Sequence, residues 1–477
     1  MPTSQPNLLF ILSDDQGPWA LGCAGNHELR TPHLDALAAT GTRFENFYCT
    51  SPVCSPARAT IATGRLPSQH GVHDWLRAGN SLSEPEREQA IRYLAGETTW
   101  SERLSQAGYT CGLSGKWHLG DAHRAQAGYT YWHAHARGGG NYYGAPMVAN
   151  ETAVREEPRY VTEVITAGAL AFLEAHGQQQ PFCLSVHYTA PHSPWERAQH
   201  PPDLYDSYFE KCPFKSLPDE PAHPWLSALQ GFFAGRRREW LAGYFAAITA
   251  MDAGIGRLLA WLQAHGLREE TLVVFTSDNG MNMGHHGICG KGNSTSPLNL
   301  YESSVKVPCI VSHPSRVPAG QVRHELCSHY DWRPTLLDWL GVADEPDDTR
   351  PGRSFATLLR GEPEGAEGRV VVYDEYGPSR MIRRGHRKYI HRYPDGPHEF
   401  YDLAADPDER HNLAGEPTCA TALAELRGEL LDWFARYADP AMDGARLPVC
   451  GKGQINWAGE ADAFPPNYEG LHRPARA

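Results

Sequence analysis

Residues 7–15 read Asn-Leu-Leu-Phe-Ile-Leu-Ser-Asp-Asp, and residues 271–279 read Thr-Leu-Val-Val-Phe-Thr-Ser-Asp-Asn. Each is an unbroken apolar run closed by acidic or amide residues. Unbroken rather than alternating apolar character marks strands buried on both faces, as in a parallel sheet covered by helices. Similar short runs occur at 181–189 (PFCLSVHYT) and 307–312. Between them, Leu241, Tyr244, Phe245, Ile248, Met251, Ile255, Leu258, Leu259 and Leu262 recur at helical spacing, as in a helix laying one face on such a sheet. The fold class is therefore α/β, a large mostly parallel sheet sandwiched by helices.

At 477 residues, 41% hydrophobic and 21% charged, the chain exceeds one typical compact domain. Residues 351–368 turn rich in Gly, Pro and Glu, and VVVYDEY (370–376), MIRRGHRKYIHRY (381–393) and HEFYDL (398–403) then read as short antiparallel strands. A helical pattern over 422–434 and an irregular tail after Ala438 complete that part. The expected organisation is a catalytic domain over 1–366 and a smaller C-terminal α+β subdomain over 367–477. The Pro-rich stretch 192–225 is expected to be a surface excursion walling a pocket.

Formal net charge is −13, from 56 acidic and 43 basic residues, without a dense Lys or Arg block. That argues against a nucleic-acid partner, and it means that an anionic substrate must meet single cations in a pocket. The N-terminal stretch lacks a basic segment and a small-residue cleavage site, and no run approaches the roughly 18 apolar residues of a membrane span. Eleven scattered cysteines without a CxxC pair suit reduced thiols. These readings give the expectation of a cytoplasmic protein with no membrane partner. A monomer and a homo-oligomer both remain open.

In an open parallel sheet, ligands bind beyond the carboxyl ends of the strands. Asp14, Asp15, Asp278 and Asn279 occupy such positions. If the two strands are neighbours, they offer four oxygen ligands to a hard cation: Ca²⁺, Mg²⁺ or Mn²⁺. Either pair alone reads equally well as a cap of the following helix. In TSPVCSPARATIATG (50–64), Cys54 precedes Pro56, a favoured first helical residue, so its sulfur should lie near a helix N-terminus with a lowered pKa. Arg58, a turn on, is placed to hold an oxyanion. A lone cysteine at such a place is more often a buried structural thiol, and spacing does not decide between the two.

Cys54-Ser55-Pro56-Ala57-Arg58, continued by Gly64-Arg65-Leu66-Pro67, resembles the CxPxR signature of the formylglycine-dependent type I sulfatases of the alkaline-phosphatase-like superfamily. Gly115-Lys116-Trp117-His118-Leu119-Gly120 is similar to the family's second signature. Asp14-Asp15, Asp278-Asn279, Pro191-His192-Ser193-Pro194 and His286-Gly287 through Lys291 match further site motifs, all in the family's order. Tyr401-Asp402-Leu403, Asp406-Pro407 and Asn412-Leu413 resemble its C-terminal subdomain. One departure is the insertion GNSTSPLNL between Lys291 and Tyr301-Glu302, which bears on substrate choice rather than on the chemistry.

The resemblance implies hydrolysis of a sulfate ester, either a small molecule or a saccharide, after a maturation enzyme has oxidised Cys54 to formylglycine. It implies one divalent metal, calcium by preference, held by Asp14, Asp15, Asp278, Asn279 and the modified Cys54. Arg58 would hold the hydrated aldehyde, while Lys116 and Lys291 neutralise the sulfonate oxygens. His192 and Lys291 would protonate the departing oxygen, and His118 would take the second diol proton. His70, His187 and His285 stand as further histidines near these motifs, and Trp75, Arg77, Tyr142, Tyr143 and Trp195 as residues near the leaving group. Two other readings compete: a phosphonate monoester or phosphodiester hydrolase of the same superfamily, and a non-catalytic binding protein with unmodified Cys54.

Overall fold

A computed structural model describes residues 5–77, 90–150, 153–179, 181–226, 235–363, 368–373, 379–449 and 451–465. Ten strands form the large sheet: β1 (Asn7–Ser13), β2 (Thr42–Phe44), β3 (Thr110–Lys116), β4 (Tyr131–His135), β5 (Ala145–Ala149), β6 (Arg155–Glu157), β7 (Phe182–His187), β8 (Thr271–Ser277), β9 (Cys309–Ser312) and β10 (Gln321–Arg323). They lie in the order β10-β2-β9-β8-β1-β7-β3-β4-β5-β6. The five central strands, β8 to β4, are mutually parallel. Antiparallel neighbours flank them, with β9 running against β8 and β5 against β4.

Every residue of β1 and β8 is buried, as their continuous apolar runs require. Leu9 and Ile11 point to one side of the sheet, into a core shared with the helices Val161–His176 and Arg237–Ala264. Leu8, Phe10 and Leu12 point to the other, where Phe10 meets the Trp332 ring edge-on at 5.5 Å. The helix Arg237–Ala264 corrects one expectation. Its 28 residues are long and apolar enough to cross a membrane, yet most of its surface is buried inside the fold, so its apolar character serves the core.

Four strands, β11 (Arg369–Tyr373), β12 (Ser379–Arg384), β13 (Arg387–Arg392) and β14 (Glu399–Asp402), form a separate antiparallel sheet in sequence order. The helix Ala420–Tyr437 covers it, packing Leu426, Leu430 and Phe434 on Ile382, Tyr389 and Phe400. Residues 374–376 of the VVVYDEY run lie outside the described residues. A buried ion network joins this sheet to the large one: Lys388 Nζ lies 3.0 Å from Glu302 and 2.6 Å from Glu409. Beyond the helix the described part of the tail, residues 438–449 and 451–465, takes no regular helix or strand, and Gln454 N donates to Trp75 O at 2.8 Å. The ten described cysteines form no disulfide, and Cys450 lies outside the described residues.

Candidate active site

Strand register assembles the site. Parallel pairing aligns Ser13 with Ser277, so Asp14-Asp15 and Asp278-Asn279 emerge side by side at the carboxyl ends of β1 and β8. Asp15 N donates to Asp278 Oδ1 at 3.1 Å. Strand β3 ends in Lys116, whose Nζ lies 2.6 Å from Asp14 Oδ2. Gly115 before it is required to be glycine, because its φ is 115° and a Cβ there would lie 1.9 Å from His187 O. Asp15 and His118 themselves adopt left-handed φ values of 64° and 56°, an uncommon strain for non-glycine residues.

The helix Cys54–Thr63 starts at Cys54 itself, two residues before the expected Pro56. Pro56 fits as the third residue because the first four N–H groups of a helix have no intrahelical partner. Cys54 Sγ lies 3.2 Å from Asp14 Oδ1, 3.9 Å from Asp15 Oδ1 and 3.3 Å from Lys291 Nζ. One turn on, Arg58 Nε donates to Asp278 Oδ2 at 2.9 Å and Nη1 to Lys116 O at 3.1 Å. Lys291 Nζ reaches Asp15 Oδ1 at 2.6 Å.

The expected lowering of the Cys54 thiol pKa is overturned. Burial, followed by the adjacent Asp14 carboxylate, pushes the thiol well above its ordinary range, outweighing Lys116 and Lys291. A helix N-terminus favours a thiolate only where the sulfur is not also desolvated among carboxylates. As an unmodified thiol, Cys54 is thus a poor nucleophile in this setting.

Asp14, Asp15, Asp278 and Cys54 bring one ligand atom each to within 4.8 Å of one another, all of them buried. Asn279 adds a buried Oδ1 without a hydrogen-bond partner, while its Nδ2 donates to Asp15 Oδ1 at 2.8 Å. Carboxylates and an orphaned amide oxygen are the donor set of a hard cation, so the residues fit a hard divalent ion. Three carboxylates are already matched by Arg58, Lys116 and Lys291, so a divalent ion there would tip the pocket positive toward an anionic ester.

His192 sits with Nε2 3.7 Å from Asp15 Oδ2 and its Nδ1 2.7 Å from Ser193 O. His118 Nε2 lies 3.3 Å from Leu76 O, and burial, with Lys116 and Arg58 beside it, lowers its pKa well below the ordinary histidine range. The structure thus gathers Asp14, Asp15, Cys54, Arg58, Lys116, His118, His192, Asp278, Asn279 and Lys291 at one end of the sheet. His187 lies behind the site, its Nδ1 3.1 Å from Lys116 O. His70 lies 3.2 Å from Thr60 Oγ1, and the His285 ring packs tilted against Trp19.

A cavity of about 550 Å³ opens over Asp15, His192 and Lys291, walled by Trp195, Glu196 and Trp240 and by Asn293 and Ser294 of the inserted stretch. Of the residues expected near the leaving group, Trp195 lines it; Tyr142 instead holds the His192 carbonyl through its hydroxyl at 2.8 Å. Tyr143 packs on Tyr160, and Arg77 lies over Trp75. The Pro-rich stretch carries a helix, Pro202–Lys211, yet its first residues do wall the cavity. Sequence reasoning missed Gly138 and Gly139, whose added Cβ atoms would fall 2.1 Å from His118 Nε2 and 3.2 Å from His192 Cε1. Three successive glycines, Gly138 to Gly140, were the available signal.

A family model described as sulfatase matches residues 6–342, and one described as N-sulphoglucosamine sulphohydrolase, C-terminal, matches residues 297–435. The chain is 27% identical to an N-acetylglucosamine-6-O-sulfatase of Bacteroides thetaiotaomicron, over 92% of this chain and 88% of that protein. It is 31% identical to an ulvan-active sulfatase of Formosa agariphila, over 91% and 82% respectively. A solved structure in complex with its substrate D-glucosamine-2-N,6-O-disulfate superposes with a TM-score of 0.73 at 26% identity, covering 92% of this chain and 99% of that one.

Proposed function

Because the chain belongs to the sulfatase family and hydrolyses sulfate esters, we propose that it does so through a formylglycine made from Cys54, beside one calcium ion, on a sulfated saccharide. The observation that carries this reading is the place of Cys54 Sγ, buried 3.2 Å from Asp14 and 3.3 Å from Lys291, where a thiolate is disfavoured. Formylglycine, once hydrated, supplies two hydroxyls: one to attack sulfur, the other to let sulfate leave. Asp14, Asp15, Asp278 and Asn279 would hold the calcium ion, which would supply positive charge beside that residue.

The chain's own groups do the rest. Arg58 is locked by Asp278 and the Lys116 carbonyl, which orients its guanidinium beside the Cys54 side chain. Lys291, 3.3 Å from Cys54 Sγ, and Lys116, held by Asp14 beside it, offset charge on the sulfonate oxygens as it redistributes. Burial depresses Lys291, while the carboxylates of Asp15, Asp14 and Asp278 raise it and hold its charge beside the reacting group. His192, at the cavity mouth with its side chain 26% exposed, and Lys291 are the groups placed to deliver a proton to the departing oxygen. His118, held neutral, takes the proton of the remaining hydroxyl.

Saccharide preference draws on the names of the relatives and on the wall of the cavity: Trp195 and Trp240 offer ring faces, and Glu196, Asn293 and Ser294 offer hydrogen-bonding groups. Two measurements test the proposal. Mass spectrometry of the Cys54 peptide, from protein matured beside a formylglycine-generating enzyme, should show a loss of about 18 Da as CH₂SH becomes CHO. An unshifted peptide in fully active protein overturns the chemistry. Turnover of sulfated amino sugars should exceed that of aryl sulfates, and the reverse order overturns the substrate class.

A further inference from the structure

Leu76 links the two halves of the catalytic machinery. Its carbonyl lies 3.3 Å from His118 Nε2, and its amide donates to the Oγ of Ser55, the residue next to Cys54, at 3.2 Å. The position of this one residue, through its two flanking peptide groups, therefore sets the distance between the proposed base and the start of the nucleophile's helix. Leu76 belongs to the irregular stretch after the short helix Pro67–His70, where the neighbouring chain must hold it.

That support comes from the far end of the protein. Gln454 pairs with Leu76 in a parallel bridge: its amide donates to Trp75 O at 2.8 Å and its carbonyl accepts from Arg77 N at 3.0 Å. Its side chain is fully buried and saturated. Oε1 accepts from His73 N at 2.9 Å, and Nε2 donates to Gly71 O at 2.8 Å and to Asn456 O at 2.9 Å. A second clasp lies alongside, as Asp74 Oδ2 accepts from Gly453 N at 3.0 Å.

We propose that Gln454 is a positioning residue for catalysis: by clamping residues 71–77 it holds the Leu76 carbonyl where it fixes the His118 ring. The tail after the second sheet is then a working part of the active site. This rests on the reading of His118 as the base of the second half-reaction, in which it takes the hydroxyl proton and sulfate is released. An amide with both faces bonded has a fixed orientation, whereas methionine of similar length fills the space and makes none of the three bonds.

The test compares full-length, formylglycine-loaded wild type with Gln454→Met, Gln454→Glu and His118→Gln. The readouts are pre-steady-state alcohol release, steady-state kcat and kcat/KM, and the imidazole signals of ¹⁵N-histidine-labelled protein. Gln454→Met should lose about 10- to 100-fold in kcat while kcat/KM stays within about threefold, because alcohol release precedes the impaired step. It should also keep a burst of one alcohol per active site and shift the His118 resonance, identified by its absence in His118→Gln. Gln454→Glu retains the acceptor for His73 N and should fall between wild type and Gln454→Met. A merely structural role predicts instead a smaller burst with unchanged kcat per active site and an unmoved His118 signal; that result overturns the inference. Should His118→Gln itself release sulfate at the wild-type rate, the role of His118 fails, whatever Gln454 does. If both Gln454 variants fail to fold, the same inference is read from Asn456→Gly, which removes the Asn456 side-chain bonds to Asp462 and Trp457 N and so loosens the turn that presents the Asn456 carbonyl to Gln454 Nε2; unchanged kcat together with an unmoved His118 signal there overturns it.

Discussion

Replacing Gly138 by alanine tests how finely the site is held. Gly138 does not occupy the left-handed region, so alanine can adopt its backbone, and the effect must come from the added methyl group. That carbon would fall 2.1 Å from His118 Nε2 and 2.3 Å from Cε1, where ordinary contact begins near 3.4 Å. The ring must recede by more than 1 Å, giving up its 3.3 Å contact with Leu76 O. A misplacement of about 1 Å in a catalytic group costs on the order of 100-fold in rate, or about 2.7 kcal/mol of barrier. We expect Gly138→Ala to lower kcat by that order and to leave the melting temperature within a few degrees, since the clash falls on the tip of a single side chain rather than on backbone. Gly139→Ala is the internal comparison, because its methyl would lie 3.2 Å from His192 Cε1, a crowding relieved by a few tenths of an ångström. Steady-state and burst kinetics of both variants on a sulfated monosaccharide, with a crystal structure of Gly138→Ala, decide the matter. A kcat within threefold of wild type, with the His118 ring unmoved, refutes the reasoning.

Asp278→Ala removes a carboxylate from the cation site and strips Arg58 of its 2.9 Å partner. Calcium affinity by calorimetry should fall by more than about tenfold, with stability reduced by about 3–5 kcal/mol from the uncompensated buried guanidinium; retained affinity would mean the ligand set is misassigned. Lys388→Met leaves Glu302 and Glu409 facing each other without their shared cation, so urea unfolding should reveal a loss of about 3–5 kcal/mol. His200 is buried, and that burial holds its pKa down at about 4. The unfolded chain, with an ordinary histidine pKa near 6.5, then binds the proton first, so stability is full above that value and falls as pH drops toward 4. The slope should be about 1.4 kcal/mol per pH unit for this residue, and unfolding curves of His200→Gln between pH 7 and 4.5 should show it removed; an unchanged slope would show that His200 is not the group.

Much of the site was legible because its parts are local in sequence. An apolar run ending in SDD or SDN places its acidic residues at a strand's carboxyl end whatever surrounds it, and the CxPxR stretch carries its own helix start. The thiol's pKa was misjudged because the helix terminus is a local feature, whereas desolvation among Asp14, Asp15 and Asp278 is a property of the assembled site. The helix Arg237–Ala264 was legible as a core helix from the spacing of its apolar residues, whereas its particular partners, Leu9, Ile11 and Phe275, belong to the assembled fold.

By itself, then, the sequence determined the buried parallel strands, the order of the motifs and the residue types that meet a cation and an anionic ester. Only the tertiary structure decided which atoms meet. The register of Ser13 with Ser277 brings together ligands 264 positions apart, as in the bond from Asn279 to Asp15. Gly138 lies against His118, and Gln454 holds residues 71–77 from 383 positions away, as in its bond to Gly71 O. The physical reason is that periodicity and turn chemistry are set by near neighbours along the chain. Closeness between distant segments follows instead from how the whole apolar surface is buried, and it leaves no mark in either segment alone.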